Sequence, residues 1–324
     1  MVKKPSVESA CRCLAGLRRP VLRPLVAAMA ASSSWGVGLP AQAQALLPTG
    51  PTVVSGSASV VTAGNRMTVT NSPNAIVDWQ SFSIGAANGV HFQQPGAASQ
   101  ILNRVTGNDP SQILGSLSSN GRVWLVNPHG VLFGQNARID VAGLVASTLA
   151  VSNADFLAGR LGFAAAGGGT SPGTVTNQGE IRTTFGGHVW LLGDQVRNEG
   201  LIQAPGGAVV LAAGKSVELV DSGLPNVVVR VTAPGNEAVN LGTLAADGGH
   251  IDVHGGIVNQ DGIVRADRVG AGPAGGIVLK AGTDVTLGRD SITQAAGGAV
   301  RVEAGGTVNH RGEIVGADVA VAAD

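Results

Sequence analysis

The segment His250-Ile251-Asp252-Val253-His254 sets three polar side chains at alternate positions, the spacing of one face of a β-strand. Two imidazoles and a carboxylate are a metal-ligand set. Along an extended strand, however, His250 and His254 stand about 13 Å apart, too far to share an ion held by bonds of about 2 Å. Asp194, Asp247, Asp252, Asp261 and Asp267 are the acid candidates for a polysaccharide lyase or hydrolase, whose chemistry needs carboxylates converging on one groove. Here they are scattered and read as solvated rim residues. Trp79, Trp124 and Trp190 offer rings for sugar stacking, yet Trp124 and Trp190 alternate with aliphatics and read as core or cap packing. The sequence holds neither a phosphate loop ending in Lys-Ser/Thr nor a G-x-S-x-G nucleophile turn. No catalytic residue, cofactor site or metal site is assigned.

The elements that would position any site begin after residue 45. Residues 1–45 run from a basic stretch (Lys3, Lys4, Arg12, Arg18, Arg19, Arg23) through an apolar segment, Leu25 to Leu39, to Ala41-Gln42-Ala43 and Ala43-Gln44-Ala45. This order is that of a cleaved secretory signal peptide. A membrane anchor is the competing reading, but the apolar run falls short of the roughly 20 residues needed to span. The only two cysteines, Cys11 and Cys13, leave with the leader. An exported chain without disulfides has no closed loops to obstruct threading through a pore. Of the 21 basic and 21 acidic residues, 15 and 20 remain after the leader. This mildly acidic balance argues against nucleic acid as a partner.

The remaining chain of about 280 residues is long enough for a sizeable core. The full chain's 49 glycines, absent tyrosine and 3% aromatics suit short stacked strands with tight corners. A glycine pair followed by alternating aliphatics recurs at Gly186-Gly187, Gly206-Gly207, Gly248-Gly249, Gly275-Gly276 and Gly297-Gly298, at intervals of 20, 42, 27 and 22 residues. A second phrase, V-x-N-x-G-x-I, interleaves at Val175–Ile181 and Val196–Ile202, with looser copies at Val258–Val264 and Val308–Ile314. Self-similarity near 21 residues with period-2 alternation predicts an all-β solenoid, each repeat a rung of short stacked strands. Its asparagine is expected at a corner, in the left-handed region or bonded along the stack, and its glycine at positive φ.

Such a unit cannot fold alone. Ordering about 20 residues costs roughly 1–2 kcal/mol each, while a rung buries about five aliphatic side chains worth roughly 1.5–3 kcal/mol apiece. Cohesion appears only as rungs stack, and the open end needs an N-terminal β cap, placed at residues 48–95. Strands are expected at 57–62, 66–70, 76–82, 89–93, 100–105, 122–126 and 138–142. Residues 164–173 read as a loop, and 153–161 as one or two helical turns.

From about Thr62 to Leu219 the chain resembles the N-terminal secretion domain of two-partner secretion exoproteins, the filamentous haemagglutinin type. The resemblance is densest at Gln100-Ile101-Leu102-Asn103-Arg104-Val105-Thr106-Gly107, Ser111–Gly115, Val123–Gly134, Ile139–Thr148 and Asn153–Phe156. The family's Asn-Pro-Asn-Gly-Ile signature reads Asn127-Pro128-His129-Gly130-Val131 here, with His129 departing from it, and a second Asn-Pro-Asn-Leu segment is absent. By residue type alone, N-P-x-G is a type I turn between two strands. The resemblance adds a role in secretion for Asn103, Asn127, Pro128, His129, Gly130 and Val131.

The resemblance further implies export by the Sec machinery and recognition in the periplasm, still unfolded, by an outer-membrane β-barrel transporter bearing POTRA domains. Folding into a right-handed parallel β-helix then follows outside a Gram-negative cell. The C-terminal residues Val319–Asp324 carry no membrane barrel of an autotransporter, so the exporter is expected to be a separate protein. The organisation that follows is a signal peptide at 1–45, a secretion domain at 46–220 and continuing rungs at 221–324 of a truncated or small family member. The implied role is that of an adhesin or haemagglutinin-like surface protein, non-enzymatic, with a host-cell or glycan ligand. The alternative is a carbohydrate-binding or carbohydrate-active β-helix.

Overall fold

The computed structural model describes residues 46–165, 173–221, 227–232, 236–270, 272 and 274–324. The signal-peptide assignment at 1–45, with Cys11 and Cys13, lies outside the described residues, as do residues 166–172 of the expected loop.

The chain winds as a right-handed parallel β-helix with three faces. One turn shows the pattern: Gln100–Val105, Ser111–Ile113 and Ser116–Ser119 are followed by Arg122–Val126, Val131–Phe133 and Arg138–Val141 one rung on. Like strands pair in parallel: 100–105 with 122–126, 111–113 with 131–133, and 116–119 with 138–141. From His250 onward the corners straighten, so that single strands such as His250–Gln260 and Gly276–Leu287 run across two faces.

Alternation builds the interior. The inward column Val77, Asn103, Leu125, Ala146, Leu191, Leu211, Val253, Leu279, Val302 passes from rung to rung in register. Every member except Asn103 is a buried aliphatic of the main core. The glycines let the rungs approach. In the repeated phrase, a Cβ at Gly200, Gly242 or Gly262 would strike the carbonyl oxygen of the glycine one rung back. The expectation of positive φ at this glycine is therefore corrected: close backbone contact selects it. Positive φ belongs instead to the first glycine of four of the five pairs, Gly186, Gly206 (63°), Gly248 (75°) and Gly297, with Gly275 the exception.

The asparagines of the phrase bond along the stack. Asn177 Nδ2 donates to Asn198 Oδ1 (2.8 Å), Asn198 Nδ2 to Asn240 Oδ1 (2.8 Å), and Asn240 Nδ2 to Gln260 Oε1 (2.6 Å). None adopts left-handed backbone; Asn74 is the one described non-glycine residue that does. The ladder satisfies buried amides that would otherwise cost free energy inside the coil.

The cap is shorter than residues 48–95. Within residues 48–95, antiparallel pairing is limited to Thr52–Ser55 on Ala75–Trp79, Ala58–Ala63 on Arg66–Asn71 and the single Thr49–Ser81 bridge. Arg66–Asn71 and Ala75–Trp79 already stack in parallel on the next rung, so the coil starts there. Hydrophobic alternation is the same in cap and coil, and only pairing direction separates them.

One element was not expected. Leu161–Ala164, Ser216–Asp221 and Val227–Thr232 form a three-stranded antiparallel sheet outside the coil. With the single helical turn Asn153–Leu157, it covers an outer column of Ile76, Leu102, Trp124, Val145, Trp190 and Val210. Trp124 lies edge-on to Phe156 (5.0 Å between centroids) and stacks on Phe163 (5.6 Å). At the next rung this column turns polar with Asp252.

Candidate functional site

Asn127 follows strand Arg122–Val126 and starts the turn to Val131–Phe133. Its wholly buried side chain is saturated: Nδ2 donates to the Asp109 carbonyl and to Ser111 Oγ, both at 3.0 Å, and Oδ1 accepts from the His129 N–H at 3.0 Å. The Gly130 N–H donates to the Asn127 carbonyl at 3.1 Å, closing the four-residue turn, while the Asn127 N–H reaches Ser147 O on the next rung at 2.9 Å. Proline supplies φ at the second position. Gly130, at φ 120°, takes a conformation closed to other residues, and its carbonyl accepts from the Ser111 N–H. Val131 is buried in the main core, and Pro128 and His129 are half-buried at the corner.

Asn103 lies apart from this turn, in the interior. Its Oδ1 accepts from the Trp79 indole N–H at 3.0 Å, and its Nδ2 donates to the Trp124 carbonyl at 3.2 Å. The structure thus brings five of the six expected residues into one corner and sets the sixth inside the coil one rung back, in register with Leu125. Sequence reasoning missed Asp109 and Ser111, which receive Asn127. Their signal was available: Ser111 occupies an inward position that Val131 and Val175 fill on the next two rungs.

The His250–Asp252–His254 trio does share one side of its strand. Asp252 Oδ1 lies 3.1 Å from His250 Nε2 and 3.6 Å from His254 Nε2. Burial works against ionisation of Asp252, but the His250 hydrogen bond and the charges of the two imidazoles together hold its carboxyl below the usual range. The rings converge on a carboxylate and not on a shared open centre. No group of three ligands suited to a metal occurs among the described residues.

His188 behaves differently. Its ring stacks on Trp190 at 4.1 Å with Nε2 buried and unpartnered, and desolvation, helped by the charge of Arg122, pushes its pKa from 6.5 down to about 3. The unfolded chain binds this proton below pH 6.5 and the folded chain refuses it. Its contribution is therefore complete above pH 6.5 and is lost as pH falls toward 3. The urea midpoint should decline between pH 6.5 and 4, and His188→Gln should flatten that decline; an identical slope in the variant would refute the assignment. Asp252, whose carboxyl is held low, acts only below this window.

A parallel coil closed by an antiparallel cap, with a buried Asn-Pro corner, defines a β-helical secretion module. Residues 44–255 match the family model described as the TPS secretion domain, and the chain belongs to that family, the secretion domains of two-partner secretion exoproteins. It is 41% identical over 180 residues to a heme/hemopexin-binding protein of Haemophilus influenzae, covering 52% of this chain and 19% of that protein. A second Haemophilus influenzae protein of that name is 47% identical over 88 residues, 27% of this chain and 10% of its own length. The chain thus spans no more than about a fifth of the curated relatives it matches.

Among solved structures, the HMW1 secretion domain from Haemophilus influenzae superposes with a TM-score of 0.77 at 35% identity, covering 83% of this chain and 73% of that one. The filamentous hemagglutinin secretion domain gives 0.54 at 17% identity over 87% and 100%, a likeness of fold alone. Proteins of this family are exoproteins, secreted across the Gram-negative outer membrane to the cell surface or medium.

Proposed function

We propose that this chain is read, while unfolded, by an outer-membrane β-barrel transporter with periplasmic POTRA domains, after export by Sec, and then folds outside the cell. In this reading residues 46–220 form the secretion domain, 221–324 add further rungs, and the folded coil is a non-enzymatic, adhesin-like surface protein with a host-cell or glycan ligand. One observation carries it. Asn127 of the motif and Asn103, the other asparagine expected to act in secretion, are wholly buried with their amides bonded in the folded coil, so a transporter can contact them only before folding. The energetics agree, because rungs gain cohesion only by stacking and the chain can travel loose. The match to the heme/hemopexin-binding proteins stays within a small part of their length and lends no ligand to this chain.

The test is export with and without the transporter, with Asn127→Ala as the variant. Export should fall to background without it. The variant should lower export about tenfold, equivalent to 1.4 kcal/mol of lost recognition, while the refolded protein still forms the coil. Equal export in the absence of any transporter, or unaltered export of the variant, would refute the reading.

A further inference from the structure

One described aromatic side chain stands apart. Phe185 is 84% exposed, whereas every other described tryptophan and phenylalanine is at most 6% exposed. It is held in place: its ring lies across Gly206, where a Cβ would come within 2.5 Å of Phe185 Cζ. Beside that corner the outward column on the neighbouring face reads Arg182, Gln203, Ala245, Arg265 in register. Alanine in a column of long side chains leaves a gap. Gln203 and Arg265 flank it two rung spacings apart, about 10 Å. The resulting notch, about 240 Å³, is also lined by Pro205, which precedes Gly206, and by Asp247.

The polar groups of the notch are set before any ligand arrives. Arg265 grips Asp247 through Nε (3.0 Å) and Nη2 (2.8 Å), and the Asp267 N–H also donates to Asp247 at 3.2 Å. Arg182 pairs with Glu180. Charge is therefore balanced within the protein, and a charged ligand is not required. The volume suits a single ring better than a drug-sized ligand, whose pockets run to about 300–1,000 Å³.

We propose that Phe185 and the Ala245 notch form a binding site for one pyranose residue of a neutral glycan. A sugar ring has an apolar C–H face that stacks on an exposed aromatic ring, and its hydroxyls donate and accept at once. The Asp247 carboxylate and Arg265 guanidinium, already held by each other, answer those hydroxyls without the entropy of being ordered on binding. The proposal deepens the surface-adhesin reading by naming ligand class and site, and rests on that reading only for its biological setting.

The test uses the whole chain refolded from inclusion bodies, so that its outcome does not depend on export. The protein is applied to a printed array of defined neutral and acidic oligosaccharides, and the best-retained free oligosaccharide is titrated calorimetrically. Phe185→Ala should weaken binding at least about tenfold, the loss expected of a central aromatic anchor, and Phe185→Trp should retain it. Ala245→Gln, which restores a long side chain to the column, should abolish binding while circular dichroism and the melting transition stay unchanged. Retention of no neutral glycan, or equal binding by Phe185→Ala and Ala245→Gln, would overturn the proposal.

Discussion

Replacing Gly207 with alanine should destabilise the folded chain by about 3 kcal/mol, the upper part of the usual range for overpacking. The new Cβ would fall within the van der Waals shell of the Gly187 carbonyl oxygen, and Gly249 makes the same contact with Gly207 one rung further on. The nearest neighbours of that Cβ are all backbone atoms of Gly186 and Gly187, so no side chain can swing away to make room. The rungs must separate, and separation weakens the parallel pairing of His188–Gly193 with Ala208–Ala213. Gly162 is the control: nothing lies within 4 Å of its would-be Cβ and its φ is ordinary, so Gly162→Ala should be neutral or mildly stabilising. Urea midpoints for both variants decide the matter. A Gly207→Ala protein as stable as the parent would show that the rungs are not held at van der Waals distance through this column.

Trp124→Ala should cost about 3–5 kcal/mol, as for other large buried aromatics, and the loss should fall unevenly over the structure. Trp124 faces outward from its strand and carries Phe156 and Phe163, so its removal takes away the platform of the outer sheet while the interior column through Leu125 stays filled. Hydrogen exchange should accelerate at 161–164 and 216–219 well before the rungs on either side of Arg122–Val126 lose protection. Trp124→Phe should recover most of the stability, because the indole N–H has no partner to lose. Unchanged exchange in the outer sheet of the alanine variant would mean that the sheet is anchored elsewhere.

Much of this architecture was legible because a coil writes itself locally. Period-2 alternation marks the strands, and the glycine pairs mark corners at the spacing of one rung. Strands 89–93, 100–105 and 122–126 therefore fall where the pattern puts them. The asparagine ladder was half visible: buried amides at a fixed interval imply stacking, but choosing between a turn conformation and an axial bond required the neighbouring rung. The glycine of the same phrase was misread for a related reason. Sequence shows that a side chain is excluded, not whether dihedral angle or a carbonyl oxygen excludes it.

The outer sheet shows the opposite case. Its strands come from two insertions about fifty residues apart in sequence, and neither shows that the other exists. A signal was present nonetheless. Val189-Trp190-Leu191-Leu192 and Val209-Val210-Leu211 are apolar at successive positions, the mark of strands buried on both faces. Reading them by alternation alone left their outer face without a cover.

The sequence by itself determined that this chain coils, where its rungs lie, and to which family of exported proteins it is similar, since each follows from short-range repetition and contiguous motif residues. Tertiary structure alone decided that Asn127 and Asn103 are sealed inside the folded coil, that two distant insertions meet over Trp124, and that Phe185 stands beside a notch at Ala245. Those depend on which residues winding brings together one rung apart or more, and separation along the chain carries no record of that distance in space.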